Sequence, residues 1–231
     1  MHVPDGFLDA PTSVATGVVA AAGVGLALRG ARRELDDRTA PMAGLVATFI
    51  FAGQMINFPV GAGTSGHLMG GALAAVLVGP WTAVLCMAVV LLVQGLVMAD
   101  GGITALGTNI TLMGLITAGV GWGVFVVLRR VLPQRLAMVA PAAAVAAFVS
   151  VPVAAIAFTG LFAVGGTAPV DLGAVATAMI GWHLLIGIGE AVVTGLVVGS
   201  VVATRPDLVR GARPFLDARD LEIRIPKAAT P

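Results

Sequence analysis

The sequence predicts an all-α, polytopic membrane protein of about seven transmembrane helices, N-terminus outside and C-terminus cytoplasmic. Three observations predict it. Hydrophobic residues make up 58% of the 231 positions and charged residues only 11%, against about a quarter charged in soluble domains. Apolar stretches near the roughly 17–25 residues that a span needs recur at 12–29, 40–58, 64–79, 80–98, 107–128, 136–163 and 174–203. The charges then fix the orientation. With the N-terminus outside, the inner segments are 30–39, the Gly79-Pro80 turn, 129–135 and the tail from 204. Arg29, Arg32, Arg33 and Arg38 lie at the first, Arg129, Arg130 and Arg135 at the third, and Arg205, Arg210, Arg213, Arg219, Arg224 and Lys227 in the tail. These are all 13 basic residues, as a positive-inside bias requires.

The first span has no basic residue before it; Asp5 and Asp9 precede it and the arginines follow. A cleaved signal peptide has the reverse pattern, so an N-out anchor is expected, with residue 1 retained and the bulky His2 disfavouring removal of Met1. The third stretch, 64–79, is short and abuts the fourth through Gly79-Pro80, which makes it the weakest division. Asp5, Asp9, Asp100 and Asp171 are the formal charges of the outer side. They either enrich cations near a site or simply solvate loops. Cys86 sits in an apolar run as packing and leaves the redox compartment unread.

The start, Met1-His2, is a ready-made chelate. The α-amine, the amide nitrogen between residues 1 and 2, and His2 Nδ1 close a five- and a six-membered ring on one ion and fill three corners of a square. A fourth nitrogen completes a planar set that suits Ni(II), Cu(II) or low-spin Co(II) better than Zn(II) or Mg(II). Pro4 biases Val3 toward extended backbone. His67 lies near the end of an apolar stretch among Gly61, Gly63, Gly66, Gly70 and Gly71; it is either a ligand or a packed, hydrogen-bonded histidine. Thr64 or Ser65 is a candidate cap for the helix that follows. Asn57, Asp100 and Asn109 are candidate acceptors for the second N–H of a metal-bound imidazole, or else caps and loop ties. His183 and Glu190, about two turns apart, share one helix face beside Gly181, Gly187 and Gly189. They form either a network linking metal occupancy to helix movement or a brace inside the bundle, and His183 is not assigned as a ligand.

Absences narrow the function. A net charge of +1 without a basic stripe gives no reason to expect nucleic acid. The sole lysine, Lys227, rules out a G-x-x-x-x-G-K-[ST] loop, so no nucleotide is expected on this chain. No H-E-x-x-H or G-x-S-x-G motif occurs.

Four stretches carry a resemblance: MHVPDGFLDAP from residue 1, NFPVGAGTSGHLMGG at 57–71, DGGITALGTNITLMG at 100–114 and HLLIGIGEAVVTG at 183–195. Together and in this order they closely resemble the CbiM/NikM family, the substrate-binding membrane components of energy-coupling-factor transporters for cobalt and nickel. The likeness runs from residue 1 to about 203. It implies a membrane-embedded metal-binding domain over 1–203, whose segment 1–11 folds back into the bundle, and a basic cytoplasmic tail over 204–231. The implied ligands are the Met1 amine, the His2 amide nitrogen, His2 Nδ1 and His67, with Co(II) or Ni(II) as the transported substrate. The implied partners are a transmembrane coupling subunit, a cytoplasmic ATPase pair and a small accessory membrane subunit, in the bilayer of the inner (plasma) membrane. Cobalt is slightly favoured, since the short tail shows no fused accessory domain. Two other readings stay open: a metal-dependent intramembrane enzyme using His67, His183 and Glu190, and a metal sensor or carrier working without ATPases.

Overall fold

A computed structural model describes residues 1–36, 39–61 and 64–220. Arg38, Gly63, Arg224 and Lys227 lie outside the described residues. The protein is helical apart from one small hairpin. Its elements are α1 (Ala10–Ala31), α2 (Thr39–Gln54), β1 (Phe58–Gly61), β2 (Thr64–Gly66), α3 (Gly71–Val78), α4 (Pro80–Val97), α5 (Leu106–Asn109), α6 (Thr117–Val131), α7 (Val139–Gly165), α8 (Leu172–Thr204) and α9 (Arg213–Asp220). A π-helical stretch, Ile110–Ile116, joins α5 to α6.

Among the described residues five helices are long and apolar enough to cross a membrane: Ala10–Ala31, Pro80–Val97, Leu106–Val131, Leu136–Gly165 and Leu172–Thr204. The expectation of about seven transmembrane helices is corrected accordingly. α2 is apolar but has 16 residues, about 24 Å of helix against a hydrocarbon core of about 30 Å. The third apolar stretch divides. Its first part is the β1–β2 hairpin, with Phe58 opposite Gly66 and Pro59 opposite Ser65, and only Gly71–Val78 is helical. Glycine and Pro59 favour a turn over a helix here. All eight residues of α3 are nevertheless buried, so the half-helix sits inside the bundle away from lipid. The joint to α4 falls at Gly79, whose φ of 103° is open to glycine at little cost.

Charges and caps hold the two ends. Asp9 caps α1 by accepting from Thr12 N at 2.9 Å, and Asp171 caps α8 by accepting from Ala174 N at 3.0 Å. At the far end of α1 the buried Glu34 carboxylate accepts from Thr82 N at 2.8 Å and Thr82 Oγ1 at 2.9 Å. It thereby supplies the negative group that the start of α4 lacks locally. Arg213 Nη2 stands 3.4 Å from Asp36 Oδ2. The α1–α2 turn, the α3–α4 joint and residues 210–213 therefore share one end of the molecule, and residues 1–9 lie at the other.

The N-terminal segment is built into the bundle. Leu8 bridges Gly166 in antiparallel fashion, Asp9 N donates to Gly165 O at 2.7 Å, and the Phe7 ring packs 5.0 Å from Phe162 and 5.7 Å from Phe158. Met1 and Val3 are fully buried and His2 nearly so.

Candidate metal centre

The Met1 amine lies 2.6 Å from His67 Nε2, and the His2 and His67 rings stand 4.6 Å apart, tilted by 33°. Each imidazole is held by its other nitrogen. His67 Nδ1 is 2.7 Å from Leu68 O, an acceptor only, so Nδ1 carries the proton and Nε2 keeps its lone pair. His2 Nε2 is 3.1 Å from Gln94 Oε1. Gln94 Nε2 in turn donates to Gln54 Oε1 at 2.9 Å, and Gln54 Nε2 to Met69 O at 2.8 Å. This chain of amides puts the His2 proton on Nε2 and leaves Nδ1 bare. His2 Nδ1 is buried without a hydrogen bond, although Asp100 Oδ1 is 3.3 Å away. The contact has the distance of an ion pair but not the direction of a hydrogen bond.

Burial pulls the Met1 amine from its usual 8.0 down to about 4, against an opposing pull from Asp100. Burial, and then the neighbouring amine, take His2 from 6.5 to about 4. Removal from water disfavours the charged form of each base, so at neutral pH both present lone pairs.

The frame around these nitrogens comes from four elements. Asn109, at the start of the π-helical stretch, pairs with the Val3 backbone on both sides: Val3 N donates to Oδ1 at 2.8 Å and Nδ2 donates to Val3 O at 3.3 Å. The 98–105 loop closes over the segment, with Gly102 N donating to Val3 O at 2.9 Å and Thr104 N to Asp5 Oδ1 at 2.8 Å. Asn57 Nδ2 donates to Asp100 Oδ2 at 3.4 Å. Together with His2, Ser65 and Gly101, these two residues line a cleft of about 430 Å³. The His67 loop is pinned from below by Glu190, whose two oxygens accept from Met69 N at 2.8 Å and Gly70 N at 2.6 Å.

Several sequence expectations change. Ser65 lies in β2 and does not cap α3. Gly70, with φ of 82°, precedes that helix without a side-chain cap, and Glu190 instead holds the two amides just before the helix, those of Met69 and Gly70. Asn109 ties backbone rather than accepting from an imidazole, and Asn57 reaches Asp100. Of the four acidic residues expected on the outer side, Asp5, Asp9 and Asp171 hold loops or helix starts, and only Asp100 borders the amine. His183 is buried on the face it shares with Glu190; its Nδ1 is 2.7 Å from Met179 O and its Nε2 has no hydrogen-bond partner. Gln54 and Gln94 were missed. Their signal was present, because each is an uncharged amide inside an otherwise apolar stretch, where polar groups are costly. Among the described residues no group of three or more His, Cys, Asp or Glu side chains is arranged to hold a metal.

The chain thus has several helices apolar enough to cross a membrane and an N-terminus folded beside a buried imidazole. Residues 2–208 match the family described as the cobalt uptake substrate-specific transmembrane region, CbiM, and the chain belongs to that family. A Haloquadratum walsbyi protein provisionally named a metal transport protein is 40% identical over 90% of this chain and 93% of its own length. An Archaeoglobus fulgidus protein provisionally named a fused nickel transport protein is 39% identical over 90% of this chain and 68% of its own length. A crystal structure of a truncated transition metal transporter superposes with a TM-score of 0.80 at 30% identity, covering 88% of this chain and 99% of that one. The protein is thus a metal-transport subunit of the energy-coupling-factor type, multi-pass in the inner membrane, and not an enzyme.

Proposed function

We propose that this chain is the substrate-capture subunit of an ATP-driven importer that takes Co(II) or Ni(II) from the outer side, with Co(II) preferred. The ion is held in a plane by four nitrogens: the Met1 amine, the deprotonated His2 amide, His2 Nδ1 and His67 Nε2. The observation that carries this reading is the 2.6 Å approach of the Met1 amine to His67 Nε2. Two nitrogens bound to one ion at about 2.0 Å and at right angles stand about 2.8 Å apart. The unpartnered His2 Nδ1 supports the same set. Asp100 offsets charge as the cation enters, and Asn57 and Ser65 border its path. Gln94 and Gln54 hold the His2 imidazole in place, as outer partners do in metal sites generally, and Glu190 pins the backbone after His67. The preference for Co(II) rests on the family description, while nickel is named in the fused relative.

Residues 1–203 act as the membrane-embedded binding domain, with segment 1–11 folded into it, and 204–231 as a basic cytoplasmic tail. Residues 30–39 also face the cytoplasm, an orientation the arginine distribution supports. Energy comes from a transmembrane coupling subunit and a cytoplasmic ATPase pair, with a small accessory membrane subunit; the fused nickel relative supports the last. The test is magnetic. Ni(II) in a planar four-nitrogen field is diamagnetic, so the loaded protein is expected to show no paramagnetic moment. A paramagnetic, six-coordinate Ni(II) spectrum would overturn the planar site.

A further inference from the structure

At the opposite end of α1 a second polar cleft takes no part in metal capture. It has a volume of about 320 Å³ and is lined by Leu26, Arg29, Gly30, Arg33, Glu34, Trp81 and Arg210. Two segments bring three guanidiniums to it: the end of α1 with the turn that follows, carrying Arg29 and Arg33, and the stretch leading into α9, carrying Arg210. None of the three arginines takes part in a salt bridge among the described residues. The one carboxylate in the cleft, Glu34, is buried and committed to the start of α4 through Thr82 N and Oγ1. The cleft therefore carries uncompensated positive charge of the kind that selects an anion.

The apolar approach says which anion. Leu26 is exposed, as is Val19 two turns before it. At helical spacing Val19, Ala22, Leu26 and Arg29 follow one another along one face of α1, and Arg33 lies in the turn just beyond its end. A hydrocarbon chain lying on that face would bring a headgroup to the two arginines. The Trp81 indole is 43% exposed and borders the cleft, as tryptophans do at headgroup level. Basic pockets between spans on the cytoplasmic side have the chemistry to hold anionic headgroups.

We infer that this cleft is a binding site for the phosphodiester headgroup of an anionic phospholipid of the inner leaflet, gripped by Arg29, Arg33 and Arg210. The leaflet rests on the orientation proposed above; the ligand chemistry does not. The test uses full-length protein carrying W122F and W182F, so that Trp81 alone fluoresces, in vesicles with brominated lipid in both leaflets. Brominated phosphatidylglycerol is expected to quench Trp81 at roughly tenfold lower mole fraction than brominated phosphatidylcholine. Unlabelled phosphatidylglycerol should reverse the quenching. R29Q/R33Q/R210Q should abolish the preference, and R129Q/R130Q should leave it intact. Equal quenching by the two lipids overturns the inference. So does reversal by inorganic phosphate alone, which reassigns the cleft to a soluble anion. Loss of the preference in the assembled transporter but not in the lone chain also overturns it and gives the cleft to an acidic partner segment. Co(II) retention measured on the same samples reports the capture site separately, so failure of either reading is distinguishable from failure of the other.

Discussion

Two buried polar clusters lie close together in this molecule, and they are finished differently. Around Glu190 both carboxylate oxygens receive a backbone N–H, from Met69 and Gly70. Around Met1, His2 and His67 every anchoring nitrogen is occupied, yet the amine meets only His67 Nε2 and the buried His2 Nδ1 has no hydrogen-bond partner. A satisfied cluster is a brace. A cluster that keeps bare nitrogens in a buried site carries a desolvation cost, which the proposed ion would offset. The contrast teaches where chemistry ends and support begins. His183 stands between the two kinds, with Nδ1 engaged and Nε2 bare.

The comparison can be broken by substitution. H67A should have the largest effect, weakening Co(II) binding by more than about a hundredfold, beyond the roughly 10–100-fold cost of losing an outer partner; calorimetric titration reads it directly. Q94L removes the acceptor that keeps the His2 proton on Nε2, and should fall inside that roughly 10–100-fold range while leaving the helical circular dichroism signal unchanged. E190Q should do the reverse. It turns one oxygen into an N–H facing another N–H, which is expected to cost about 1–3 kcal/mol of stability with less than about a tenfold change in Kd. A large affinity loss from E190Q at unchanged melting temperature would move Glu190 into the chemical cluster.

A further effect is on the metal-free protein. The Met1 amine titrates near 4 when folded and near 8.0 when exposed, and His2 near 4 rather than 6.5. Between these values the unfolded chain takes up protons that the folded chain refuses, so stability falls as pH drops from 8 toward 4 and levels off below that. Blocking the amine with a formyl group should flatten the part of the melting curve between pH 8 and 6.5. The same slope in the blocked protein would mean that the amine is not buried.

Much of the bundle could be read from hydropathy, because α1, α4, α7 and α8 are long, mostly apolar runs. The third stretch could not. Its composition is apolar enough to span, but a Gly- and Pro-rich run can meet its backbone hydrogen bonds in a hairpin shielded by neighbouring helices, and hydropathy does not distinguish the two. Local motifs brought Met1, His2 and His67 forward, since a chelate at a chain start is written in adjacent residues. The supports are not local. Gln94 meets His2 across 92 residues and Glu190 meets Gly70 across 120, so nothing in the spacing could pair them. Thr64 and Ser65 looked like caps because capping is usually a neighbour's task, whereas both lie in β2 and α3 starts after Gly70 with no side-chain cap.

The account stands on the position-2 chelate. One glycine inserted between Met1 and His2 keeps every side chain and breaks the fused rings. Titration of Co(II) into native and inserted protein, both checked for folding, is the most direct measurement. The account predicts loss of tight binding in the inserted protein alone; equal binding by the two would place the metal elsewhere and contradict it.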